Sequence, residues 1–70
     1  MKYERMVAEL KMQLAEVPEM HHDLVARFAE LTDAGYFRAA YDPLHELCHL
    51  SDWSPSTRLR SLIHSYLAVF

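Results

Sequence analysis

The apolar residues of this 70-residue chain recur every three or four positions from one end to the other, and no stretch alternates apolar with polar at every second position. A three-and-four spacing lines residues up along one side of an α-helix, whereas a half-buried strand needs a period of two. The pattern therefore predicts an all-α fold, a small bundle of three to four helices. Tyr3, Val7, Leu10, Leu14 and Val17 form the first stripe, widened by Met6, with Glu4, Arg5, Glu9, Lys11 and Glu16 lying off it. Two heptads of this kind suit a bundle helix packing inside its own monomer better than a coiled-coil seam.

Pro18 interrupts that helix, because the residue before a proline is pushed out of the α region. A second helix is predicted from about Pro18 or Glu19 to Ala34, with Met20, Leu24, Phe28 and Leu31 on one face. Gly35, the only glycine, supplies the left-handed residue that closes it. Residues 36–41 are either a last turn or an aromatic connector.

A local device then appears twice, twelve residues apart. Tyr41-Asp42-Pro43 and Trp53-Ser54-Pro55 each offer an aromatic, a capping side chain and a proline suited to a helix's first position. They predict helices at about 43–51 and 55–69, capped by Asp42 and Ser54. The residues four into each helix are the charged Glu46 and Arg58, so Tyr41 and Trp53 lack a hydrophobic staple there and must pack elsewhere. The last helix carries Leu59, Leu62, Ile63, Tyr66, Leu67 and Phe70 on one face, with Arg58, Ser61, His64 and Ser65 opposite.

Seventy residues make a single helical domain over 1–70. A chain this short buries only about 60% of the surface its unfolded form exposes, so a partner or a second copy is a natural source of added stability. Hydrophobic residues are 51% of the chain, a composition that folds. Cys48 is the single cysteine, which excludes an internal disulfide, and there is neither a leader-like start nor an apolar run near the roughly 20 residues that span a bilayer. A cytoplasmic protein is expected.

Residues 45–49 spell HELCH, a literal match to the H-E-x-x-H string with which zinc proteases hold a metal and a general base on one helix. His45 and His49 share a helix side and are the candidate ligands. A catalytic zinc needs a third protein ligand, an open position for water and a substrate cleft, and 70 residues leave little chain for a cleft. Neither an enzyme nor a cofactor is expected. Cys48 reads as a small buried hydrophobe, and His21 and His22, being adjacent, point about 100° apart on a helix and do not share an ion.

From Leu44 to Leu67 the sequence LHELCHLSDWSPSTRLRSLIHSYL resembles the helix-turn-helix of small bacterial and phage regulators. The resemblance covers about a third of the chain. It implies that the second helix lies in a DNA major groove, with Ser56, Thr57, Arg58 and Arg60 as readers and His64 further along. The turn SDWS holds no glycine, where such regulators usually place one. Net charge is −3 and the pI about 5.9, whereas DNA-binding domains are typically basic. The charge is also uneven: residues 1–35 carry four basic and seven acidic side chains, residues 36–70 three of each, and no acid follows Asp52.

The reading these features favour is a non-catalytic module that regulates or inhibits a larger protein stoichiometrically, as a homodimer. The alternatives are a helix-turn-helix regulator and, more remotely, a zinc-binding protein. In size and lack of catalytic apparatus the chain is similar to accessory proteins of phages and mobile elements, such as anti-defence or anti-activator proteins. Tyr36, Phe37, Arg38, Tyr41 and Trp53, an aromatic cluster around an arginine, are the candidate contact residues. The acidic first half suits a basic, nucleic-acid-binding surface on the target.

Overall fold

The computed structural model describes residues 3–70, and these form four α-helices and no strand. Helix α1 spans Glu4–Gln13, α2 His22–Asp33, α3 Tyr41–Cys48 and α4 Thr57–Val69, with single 3₁₀ turns at Leu14–Glu16 and Glu19–His21 between the first two. α1 packs on α4 and α2 on α3, and α3 also meets α4. The small all-α bundle read from the spacing is thus the architecture observed.

The first stripe points inward as expected. Val7, Leu10, Leu14 and Val17 are all buried, in the chain's own core, and Tyr3 meets Phe70 edge-on with ring centroids 5.2 Å apart. The α-helix itself ends at Gln13, and the tighter 3₁₀ turn eclipses side chains three apart, so Leu14 and Val17 still face the same way. Val17 is extended (ψ 134°) ahead of Pro18. Its carbonyl accepts a hydrogen bond from His22 Nε2 at 2.8 Å.

The second helix starts later than predicted. The residues after Pro18 form a 3₁₀ turn, which throws Met20 out of phase with the core face and leaves it 72% exposed. Phe28 and Thr32 are buried, and Thr32 Oγ1 donates to the carbonyls of Phe28 and Ala29, both at 3.0 Å. Gly35 (φ +86°) ends α2 as expected: its N–H donates to Thr32 O and that of Tyr36 to Leu31 O, the paired bonds of a Schellman closure.

The two later helices depart from their predicted caps in opposite directions. α3 begins at Tyr41, so Asp42 lies inside its first turn and caps nothing, and Pro43 is a buried third residue. This is tolerated because the turn over 36–40 runs directly into the helix: Tyr41 N–H donates to Arg38 O, Asp42 N–H to Ala39 O and Leu44 N–H to Ala40 O, while Pro43 has no N–H needing a partner. Ser54 and Pro55 instead stay outside α4. Ser56 is the cap, extended at ψ 163°, its Oγ accepting from Leu59 N at 3.2 Å.

Leu44, Leu47, Leu59, Ile63 and Tyr66 complete the core with Phe28 and Ala40. Tyr66 is fully buried: its ring meets Phe28 edge-on at 5.2 Å and its hydroxyl donates to Phe37 O at 2.5 Å. Burial pushes the phenol pKa up from 10.0 to about 12.

Candidate docking site and the ends of helices three and four

The segment that joins α2 to α3 divides its aromatic residues between the inside and the outside of the molecule. Phe37 turns inward and stacks on Phe70 with centroids 5.6 Å apart, and its carbonyl is the partner of Tyr66. Expected as a surface contact, it is half-buried and packs against the core, as does Phe70. Tyr36 is 64% exposed and Arg38 also faces solvent. A groove of about 620 Å³ is walled by Arg38, Tyr41 and Asp42 on one side and by the end of α4, Leu67 to Phe70, on the other. Val69, 47% exposed, adds an apolar rim.

Trp53 lies at the other end of α3. The indole is half-buried, and its Nε1–H donates to Leu47 O at 3.2 Å, satisfying one of the last carbonyls of the helix. It therefore pins the connecting loop to α3. Tyr41 stacks on His45 at 5.6 Å while contributing to the groove wall. Of the five residues expected to form one contact surface, Arg38 and Tyr41 share the groove wall, Tyr36 is exposed outside that wall, Phe37 is half-buried against the core and Trp53 belongs to the loop.

The N-terminal end of α4, which the helix-turn-helix resemblance assigns to DNA, is engaged by α1 and the 3₁₀ turn that follows it. Glu16 accepts from Ser56 N at 3.1 Å and from Ser56 Oγ at 2.6 Å, and Glu9 is paired with Arg58 Nη2. A carboxylate thus sits where the positive end of the helix dipole and free backbone N–H groups would otherwise receive an anion. Thr57, Arg60 and His64 are exposed along the same helix. The connection from α3 to α4 is the loop 49–56, longer than the turn of about three or four residues in a helix-turn-helix, and it is extended at Ser56. The segment is helix-loop-helix, and the tight turn implied by the resemblance is absent from it.

The same loop is tied to the α1–α2 connection a second time. His21 Nε2 lies 2.9 and 2.8 Å from the two carboxylate oxygens of Asp52. The sequence reading missed these partners. Glu9 and Glu16 stand seven residues apart, so they share a helix face beside the apolar stripe, and that spacing was the available signal.

In the HELCH string, His45 and His49 are exposed with ring centroids 4.1 Å apart. Cys48 packs against the core, and burial raises its pKa against a smaller lowering pull from Arg60. Among the described residues, no three ligating side chains converge on a point that would hold a metal ion. Nor, among them, is any helix long and apolar enough to cross a membrane. No protein-family model, curated protein or solved structure matches the chain.

Proposed function

We propose that the chain is a small, non-catalytic binding module that regulates or inhibits a larger protein by docking it on the surface around Tyr36, Arg38 and Tyr41. The observation that carries this reading is a groove of about 620 Å³ walled by Arg38 and Tyr41 against the last turn of α4, with the exposed Tyr36 two residues before Arg38 in the same segment. Tyrosine and arginine are the residue types enriched at the energetic centres of interfaces, because each combines a large contact area with directed hydrogen bonds. A homodimer is the assembly proposed, since Met12, 74% exposed, and Met20 leave adaptable apolar surface on the α1–α2 side. The same accessory role fits phage or mobile-element proteins of this size, and a basic target suits the net charge of −3.

DNA reading has less support. It would require Ser56 and Arg58 to leave Glu16 and Glu9, and it would bring those two carboxylates close to phosphates. Few phosphate contacts would remain to offset that repulsion.

The test compares capture from nuclease-treated lysate by the wild-type protein and by the Tyr36→Ala/Arg38→Ala variant. Both residues are exposed, so the far-UV circular dichroism of the variant should match the wild type. The expected outcome is a discrete protein held by the wild type and lost by the variant. Equal capture by both would overturn the assignment of this surface. Phe37→Ala is a poor probe of docking, because it removes the ring stacked on Phe70 and perturbs the core.

A further inference from the structure

We propose that His45 and His49 form a two-imidazole chelate on the exposed face of α3 for a borderline divalent transition-metal ion, with water completing the coordination. Copper(II) should bind most tightly, nickel(II) and zinc(II) less so, the usual order for nitrogen ligands.

Spacing alone would be a weak argument, since any two histidines four apart share a helix side. The hydrogen bonding adds to it. His49 Nδ1 lies 2.8 Å from His45 O. A carbonyl only accepts, so Nδ1 carries the proton and Nε2 of His49 is left with its lone pair outward. Metal-binding histidines are commonly held in this way: one ring nitrogen donates to a carbonyl or carboxylate, which sets the tautomer and aims the other nitrogen at the ion. Tyr41 stacks nearly parallel on His45 at an interplanar angle of 14°, a contact that His45 gives up when it turns to bind. The two rings lie against each other, centroids 4.1 Å apart with 31° between their planes, so the His45 ring turns to share an ion with His49, and both side chains are exposed enough to allow it.

The position also favours a cation. The pair occupies the last turn and the C-cap of α3, where the helix dipole presents its negative end. Glu46, which acts as the general base in the protease string, is adjacent to His45 and so points about 100° away from it around the helix. Cys48 is held toward the core as a thiol. The chain therefore supplies two ligands, which gives reversible binding and no basis for a hydrolytic centre.

Titration of the metal-free protein with copper(II), followed by calorimetry and by electron paramagnetic resonance, tests this. Expected are one ion per chain, nitrogen hyperfine structure from two imidazoles, and affinity weakened by more than about tenfold in His45→Ala and again in His49→Ala. His64→Ala and His21→Ala should bind as the wild type does, and circular dichroism of all four variants confirms that they fold. Binding that survives both α3 substitutions, binding lost equally in His64→Ala or His21→Ala, or half an ion per chain would each overturn the proposal.

Discussion

Tyr41-Asp42-Pro43 and Trp53-Ser54-Pro55 are the same local message, an aromatic, a cap and a proline, and the molecule gives them opposite meanings. At the first, the helix begins two residues early and absorbs all three residues. At the second, it begins two residues late and leaves all three outside. The difference lies in what the rest of the chain brings to each place. Ahead of α3, the 36–40 turn is already helical in its hydrogen bonding, so its carbonyls meet the N–H groups of Tyr41, Asp42 and Leu44. Ahead of α4, Trp53 is drawn back to Leu47 and Glu16 reaches from the 3₁₀ turn after α1 to hold Ser56, which keeps the helix from starting before residue 57. Local capping propensity is worth about 1 kcal/mol, and tertiary contacts of that size redirect it.

The comparison can be broken most forcefully at its aromatics. Trp53→Ala removes a half-buried indole and leaves the Leu47 carbonyl without that partner, so denaturant unfolding should show a loss of about 2–3 kcal/mol. Tyr41→Ala should cost less than half as much, since Tyr41 stacks on an exposed imidazole. Equal losses would mean that the two triplets are held alike.

The next effect lies in Tyr66, which joins the two regions by donating from α4 to Phe37 ahead of α3. An unfolded tyrosine ionises near pH 10.0, while the buried phenol keeps its proton to about 12. The stabilisation linked to that proton is complete below about pH 10 and is lost as the pH rises from there toward 12, with stability falling because the unfolded state binds fewer protons. Alkaline titration of the unfolding free energy should show this decline, on the order of 2 kcal/mol, and Tyr66→Phe should flatten it.

The smallest effects separate true caps from apparent ones. Ser56→Ala should cost about 1 kcal/mol, whereas Asp42→Ala and Ser54→Ala should each stay within about 0.5 kcal/mol of wild type. Thermal or denaturant melts of the three variants read this directly, and a cost at Asp42 matching that at Ser56 would restore the symmetry that the sequence suggests.

Much of the fold was legible because it rests on periodicity. The stripe from Val7 to Val17, the break at Pro18, the closure at Gly35 and the buried face of α4 all follow from spacing and backbone chemistry that act locally. What escaped was set by residues distant in sequence. Met20 fits the α2 face by count, yet the 3₁₀ turn rotates it outward. Phe37 is indistinguishable from Tyr36 in its polar-poor neighbourhood, until Phe70 and Tyr66 arrive from the other end of the chain. Ser54 and Ser56 are equally good caps until Glu16 selects one. The groove was legible only in part, through Arg38 and Tyr41, because its opposite wall is the end of α4.

That selection by Glu16 is the contact on which the reading of α4 depends: an N-terminus held by the chain's own carboxylates, with the docking surface elsewhere. A double-mutant cycle of Glu16→Ala and Ser56→Ala, measured by denaturant unfolding, addresses it most directly. The expected result is a coupling of at least about 0.5 kcal/mol, since the hydroxyl-to-carboxylate bond is lost once, not twice. Costs that add to within about 0.3 kcal/mol would show that the two side chains do not interact, and that the end of α4 is open to an outside anion.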